Sequence, residues 1–172
     1  MAYERKEAVI FGGHPMTLVG PALQAGDAAP DFEAVDSDLK SVRFSSIHTP
    51  LKIVSSVPSL DTGICSAQTK RFEDEIAKLD GRVALITVSM DLPFAQQRFC
   101  GKAPPANAHF LSDHQHGYFG KSWGTYIKEV RLLARAVFVV DSNRRLVHVQ
   151  YVKESGTHPD YEAVMKALKE AL

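Results

Sequence analysis

The sequence predicts an α/β protein in which a central mixed β-sheet is flanked by helices and preceded by an N-terminal β-hairpin. Residues 51–57 and 82–90 are nearly continuous apolar, β-branched runs, which are typical of strands buried on both faces. Between these runs, five residues recur at the spacing of one helix face: Cys65, Thr69, Phe72, Ile76 and Leu79. This arrangement predicts a strand, a helix and a second, parallel strand.

The N-terminal hairpin is predicted over residues 8–20, where two β-prone runs flank Gly-Gly-His-Pro, which we interpret as a four-residue loop. A Gly- and Pro-containing loop then leads to a short strand at residues 32–35. The chain of 172 residues contains no repeat, low-complexity tract or linker. We therefore expect a single domain over residues 1–172, with residues 8–20 as its hairpin extension.

The middle of the chain predicts a second helix over residues 91–101. Pro93 suits the first turn of that helix, and Gly101 suits its C-terminal end. A strand at residues 109–111 and a short helix at 118–123 follow.

The last third of the chain predicts a β-hairpin and a terminal helix. Residues 135–141 and 146–152 flank a Ser-Asn-Arg-Arg turn, and residues 158–172 form an amphipathic helix. A strand–helix–strand unit combined with a terminal hairpin and helix is how a thioredoxin-like sheet is assembled.

Charge and composition exclude several classes of function. Lys plus Arg and Asp plus Glu both number 20, so no net field attracts nucleic acid or an anionic membrane. The N-terminal segment lacks the apolar region of a secretory signal, and no apolar run approaches 18 residues, so we expect a cytoplasmic protein without a membrane contact. No Gly-rich phosphate loop is present, and we expect no cofactor.

The two cysteines, Cys65 and Cys100, are too few for a disulfide scaffold and do not form a Cys-x-x-Cys motif. Cys65 lies in the first turn of the first predicted helix, where unpaired N–H groups and the helix dipole favour a thiolate. The pattern alone leaves open whether Cys65 fills core space, forms a static crosslink or is reactive.

Three residues bear on the environment of Cys65. Thr62 offers a hydroxyl three residues before the sulfur, although it also suits a simple N-cap. Pro58 ends the preceding strand and would cover one side of a pocket, although it also suits an ordinary loop. Arg135 interrupts an apolar strand, where an unpaired guanidinium would be costly. A thiolate partner would remove that cost, and so would a position at the strand end from which Arg135 reaches solvent or a surface carboxylate.

Three segments give the chain a family resemblance. Residues 58–65 read Pro-x-x-x-Thr-x-x-Cys, residues 88–100 read VSMDLPFAQQRFC, and residues 132–141 read LLARAVFVVD. Together they resemble the peroxiredoxins, and in particular the atypical two-cysteine group called thiol peroxidases.

The resemblance implies a thioredoxin fold and a cysteine-based peroxidase. Cys65 would attack a hydroperoxide bound by Pro58, Thr62 and Arg135 and become a sulfenic acid. Cys100 would then resolve it as an intramolecular disulfide with Cys65. The resemblance further implies thioredoxin as reductant, a homodimer, and neither a cofactor nor a metal.

Two other functions remain open at this stage. The same thiol pair would serve a redox sensor without rapid turnover, and a structural module would carry inert cysteines. Three histidines near Asp113, namely His109, His114 and His116, invite a metal site, but their spacing does not match a helical His-x-x-x-His pair.

Overall fold

The computed structural model describes residues 3–101 and 104–172. Its strands are β1 Glu4–Phe11, β2 His14–Val19, β3 Glu33–Val35, β4 Ser41–Arg43, β5 Leu51–Ser56, β6 Val83–Ser89, β7 Ala108–Ser112, β8 Tyr126–Ile127, β9 Leu132–Leu133, β10 Ala136–Val140 and β11 Leu146–Tyr151. Its α-helices are α1 Gly63–Ile76, α2 Pro93–Cys100, α3 Tyr118–Ser122 and α4 Tyr161–Ala171. No helix in the described ranges is long and apolar enough to cross a membrane.

The larger sheet has seven strands in the order β11-β10-β5-β6-β7-β3-β4. β5, β6 and β7 are mutually parallel, and their neighbours on both sides are antiparallel, which makes the sheet mixed, as predicted. The unit β5-α1-β6 is the predicted strand, helix and parallel strand. Its helix is shorter than the apolar spacing predicts, because α1 ends at Ile76 and Leu79 lies in the turn that follows.

The N-terminal hairpin is present, but its loop is shorter than predicted. Phe11 pairs with His14 and Ile10 pairs with Pro15, so only Gly12 and Gly13 form the turn. Both glycines have positive φ angles, 58° and 80°, which is the requirement of a two-residue primed turn whose twist matches that of the strands. The prediction of a four-residue loop was therefore wrong, because the glycine pair alone closes the hairpin.

The hairpin belongs to a second sheet of four strands, in the order β1-β2-β8-β9. β8 and β9 have only two residues each, which is too short for an alternating pattern to appear in the sequence. The three-residue strand β4 is missing from the predictions for the same reason.

Apolar clusters cover both faces of the larger sheet. One face packs against α1 and α4, with Phe72, Ile76, Val164 and Leu168 buried from the helices. The other face carries an aromatic cluster that consists of Phe32, Phe44, Phe119, Trp123 and Phe138. The two layers fix the carboxyl end of β5, and six residues, 57–62, separate that end from the start of α1.

Candidate active site

Cys65 is the third residue of α1 and its side chain is 0% exposed. Thr62 is the N-cap residue, with extended backbone angles, and its carbonyl accepts the hydrogen bond from Ser66 N at 3.0 Å. The first-turn amides of an α-helix have no acceptor within the helix. The sulfur therefore lies beside the positive end of the helix dipole, as predicted from its position.

The loop that precedes α1 is held in place by Asp91, the second residue after β6. The Asp91 carboxylate accepts hydrogen bonds from Ser59 Oγ at 2.7 Å, from Leu60 N at 2.8 Å and from Ser89 Oγ at 2.8 Å. Three donors on one carboxylate join the ends of two neighbouring strands, and so they fix the entry of the chain into α1.

Arg135 contacts the sulfur directly. Its Nη2 donates to Cys65 Sγ at 3.3 Å, and the arginine is only 2% exposed. β10 is antiparallel to β5, and Ala136 pairs with Ser56, so Arg135 enters its strand beside the end of the strand that leads to Cys65. Of the two alternatives for Arg135, the structure contains the contact with the thiol and not a route to solvent.

Two residues that sequence analysis missed hold the guanidinium. Arg135 Nη1 donates to Gln68 Oε1 at 2.7 Å, while Nε and Nη2 donate to the carbonyl of Ser155 at 3.3 and 3.1 Å. Gln68 Nε2 in turn donates to Ser55 Oγ at 2.7 Å. Gln68 follows Cys65 by three residues on the buried face of α1, which is a usable sequence pattern. Ser155 acts through its backbone and leaves no pattern.

Thr62 and Pro58 border a cavity next to the sulfur. The Thr62 hydroxyl donates to Ser59 O at 3.0 Å, so it neither caps α1 nor contacts Cys65 in this structure. The cavity has a volume of about 350 Å³ and is lined by Phe11, Pro58, Thr62, Gly63, Ile64, Arg135, Ser155 and Gly156. Cys65 itself does not line this cavity, but Arg135 does, and Arg135 also donates to the Cys65 sulfur.

Cys100 is the last residue of α2, at the predicted helix end, where Gly101 follows with a positive φ of 73°. Both cysteines are free thiols, and both pack in one apolar cluster with Val57, Leu60 and Phe110. Burial raises the pKa of the Cys100 thiol, and the negative charge of Glu73 adds to that rise. Cys65 lies in the first turn of α1, and Cys100 lies in the last turn of α2.

Comparison with known proteins identifies the family. The pattern of the Redoxin family matches residues 24–165. Thiol peroxidases from Halalkalibacterium halodurans and Bacillus subtilis are 48% and 47% identical to the chain. The matches cover 96% and 94% of this chain and 99% and 96% of those proteins. The chain belongs to the Redoxin family. Its relatives confirm the predicted peroxiredoxin-type enzyme.

Solved structures confirm the thioredoxin-like fold of this Redoxin chain. A peroxiredoxin-like protein from Aquifex aeolicus superimposes with a TM-score of 0.87 at 37% identity, over 96% of this chain and 98% of that one. A thiol peroxidase from Chromobacterium violaceum superimposes with a TM-score of 0.83 at 20% identity, over 94% of this chain and 95% of that one. The second likeness concerns the fold alone.

The three histidines of the Redoxin chain do not converge on a metal site. His114 Nδ1 is 2.7 Å from Ser112 Oγ, and His116 stacks on Tyr118 with ring centroids 4.7 Å apart. His109 lines a separate cavity together with Cys100. Within residues 3–101 and 104–172, no group of three or more His, Cys, Asp or Glu side chains is placed to hold a metal ion.

Proposed function

We propose that this chain is a thiol-dependent peroxidase that reduces hydrogen peroxide and organic hydroperoxides through Cys65. The observation that carries this proposal is the 3.3 Å contact between Arg135 Nη2 and Cys65 Sγ at the start of a helix. Thiolate population alone is a weak source of rate, because complete ionisation of an ordinary cysteine at pH 7 raises it only about thirtyfold. A dedicated peroxidase therefore needs donors that polarise the O–O bond.

In the first step, the Cys65 thiolate attacks the distal oxygen of the hydroperoxide. A sulfur–oxygen bond forms and the O–O bond breaks, so that sulfur is oxidised to a sulfenic acid. The leaving oxygen takes a proton and departs as water or an alcohol. Arg135 and the first-turn N–H groups of α1 hold the two oxygens, and the hydroxyl of Thr62 joins them after a rotation away from Ser59 O.

In the second step, the Cys100 sulfur attacks the sulfenic sulfur of Cys65. A disulfide forms, and the sulfenic oxygen leaves as water after taking one proton. The start of α1 and the end of α2 unwind for this step, since a disulfide needs Cα atoms within about 7 Å. A dithiol reductant of the thioredoxin class then reduces the disulfide, and both cysteines return to thiols.

The cavity beside Arg135 supports the proposal that organic hydroperoxides are substrates as well as hydrogen peroxide. Phe11, Pro58 and Ile64 give its wall apolar surface, which suits the organic part of a hydroperoxide, and Arg135 marks the end where the peroxide group binds. The family resemblance supports the remaining parts of the proposal: a homodimer in the cytoplasm, with thioredoxin as its reductant.

The decisive experiment follows peroxide consumption by the purified chain with thioredoxin, thioredoxin reductase and NADPH. We expect sustained turnover by the native chain and none by Cys65→Ser, whose fold is checked by circular dichroism. Turnover by Cys65→Ser at the native rate would overturn the proposal. A native chain that stalls after about one equivalent of peroxide would instead be a redox sensor.

A second variant tests the role of Cys100. Cys100→Ser is expected to reduce the first equivalent of peroxide at the native rate but to lose recycling by thioredoxin. Intact mass after one equivalent distinguishes the products, because the native chain loses two hydrogens and the variant gains one oxygen. A variant that recycles normally would show that Cys100 is not the resolving residue.

A further inference from the structure

A second cavity, of about 450 Å³, lies at the opposite end of β5 from the cysteine site. It opens between the segment that leads into β5 and the turn that joins β10 to β11. Lys52 is the second residue of β5, whereas the chain reaches Cys65 only after the last residue of that strand. The cavity is therefore separate from the peroxide site.

The cavity contains a buried ammonium group. Lys52 is only 7% exposed, and its Nζ lies 5.8 Å from the centroid of the Phe44 ring. An ammonium has three N–H donors, yet in the described ranges only the Thr49 carbonyl, at 3.1 Å, accepts from Lys52. Burial lowers the pKa of Lys52, and the positive charge of Arg144 lowers it further. The negative charge of an anion in the cavity would offset both effects, because it favours the charged form of Lys52.

The other polar groups of the cavity add positive charge and neutral donors. Arg144 and His48 line it together with Ser142, and none of its lining residues is an aspartate or glutamate. No acidic group lies within 4.0 Å of Lys52, Arg144 or His48 in residues 3–101 and 104–172. Asp141, one residue before Ser142, does not line the cavity, and its Oδ1 accepts the backbone N–H groups of Asn143 and Arg145.

We propose that this cavity binds a phosphoryl group, from inorganic phosphate or from a small phosphate monoester. Lys52 and Arg144 supply the charge-assisted hydrogen bonds that a tetrahedral oxyanion requires, and Ser142 supplies a neutral donor. Phe44 and Ile47 form an apolar floor that suits the organic part of a monoester. The volume falls within the range of small-ligand pockets.

Calorimetric titration with inorganic phosphate tests this proposal, with chloride at equal ionic strength as the reference. Arg144→Gln is the informative variant and Arg145→Gln is its matched control, since both arginines are exposed but Arg145 donates to Gly26 O and does not line the cavity. We expect Arg144→Gln to weaken binding roughly tenfold, the worth of one charge-assisted hydrogen bond. Arg145→Gln should change it less than about twofold.

Lys52→Met provides a second variant, which keeps the length of the buried side chain and removes its charge. It is expected to abolish the calorimetric response while leaving the thermal midpoint unchanged or higher. Tighter binding of phenyl phosphate than of inorganic phosphate would assign the site to a monoester, and equal affinity would assign it to inorganic phosphate. A phosphate response no larger than that of chloride, or equal losses in the two arginine variants, would overturn the proposal.

Discussion

The guanidinium of Arg135 lies 3.3 Å from the sulfur of Cys65, although the two residues are 70 positions apart in the chain. The antiparallel pairing of β10 with β5 creates this contact, because it places the start of one strand beside the end of the other. Both groups are buried, so each satisfies the other where water cannot. The sheet topology therefore produces the pairing on which the proposed chemistry depends.

Replacing Arg135 with lysine should lower the second-order rate constant for oxidation of Cys65 by hydrogen peroxide about a hundredfold. Lysine keeps the positive charge, but its donors all lie on one nitrogen and lack the planar spread with which Arg135 reaches the sulfur, Gln68 and Ser155 O. Competition kinetics against a reference thiol measures the rate. Arg131→Lys, at an exposed turn, is the control and should change it less than about twofold. A native rate in Arg135→Lys would show that charge alone suffices.

Gln68→Met tests the residue that aims the arginine. The change removes the 2.7 Å bond to Arg135 Nη1 and the 2.7 Å bond to Ser55 Oγ, and it leaves a buried guanidinium donor without an acceptor. We expect a loss of about 1–3 kcal/mol in the free energy of unfolding and a roughly tenfold slower oxidation of Cys65. Urea unfolding and competition kinetics measure the two effects. A loss of stability with an unchanged oxidation rate would restrict Gln68 to a structural role.

Long, strongly patterned segments could be predicted from the sequence. β5 and β6 are nearly continuous apolar runs, and α1 carries an apolar repeat that is long enough to define a helical period. α2 is bounded by Pro93 and Gly101, whose backbone preferences mark helix ends. The position of Cys65 in the first turn of α1 followed from the end of the apolar run of β5 and the start of the helical repeat. The apolar run around Arg135 showed only that its guanidinium needed a partner or a route to the surface, and the family resemblance favoured Cys65 as that partner.

The features that were missed depend on contacts that no local pattern encodes. Ser155 contributes only a carbonyl oxygen, and the strands β8 and β9 are too short to show a period. Thr62 was placed correctly at the start of the helix, but its hydroxyl donates to Ser59 O and not to the Cys65 sulfur. The local sequence does not distinguish these two acceptors, because the conformation of the folded loop determines which one the hydroxyl reaches. Gln68 had the right spacing, and its role appears only once Arg135 is seen next to it.

Disulfide formation should become faster as the pH rises through the neutral range. Burial is the main cause of the raised pKa of Cys100, so little of the attacking thiolate is present at low pH. Glu73 also raises that pKa, and Glu73→Gln should therefore shift the rate profile to lower pH and speed disulfide formation severalfold at pH 7. Quenched-flow mass analysis after one equivalent of peroxide follows the step.

Glu75→Gln is the matched control for this experiment. Glu75 lies two positions farther along α1, and its ion pairs, with Arg71 and Lys78, are both 3.5 Å long. Glu75→Gln should leave the pH dependence of the rate of disulfide formation unchanged. A profile that moves equally in both variants, or that moves to higher pH in Glu73→Gln, would contradict the assigned effect of Glu73.

Asp113 should make the chain less stable as the pH rises from 4 to 6. Burial raises the pKa of Asp113 from 3.8 to about 6, even though its carboxylate accepts hydrogen bonds from Phe119 N and Gly120 N. Between these two values the folded chain binds the proton and the unfolded chain has released it. The contribution of Asp113 to stability is therefore full below pH 3.8 and is lost as the pH approaches 6, by at most about 3 kcal/mol.

Urea unfolding of the native chain and of Asp113→Asn measures this contribution. The stability of the native chain relative to the variant should fall between pH 4 and 6 and then level off. The carboxyl carbon of Asp113 should titrate near pH 6 by NMR. A relative stability that rises with pH would show that the two backbone N–H groups outweigh the cost of burying the charge.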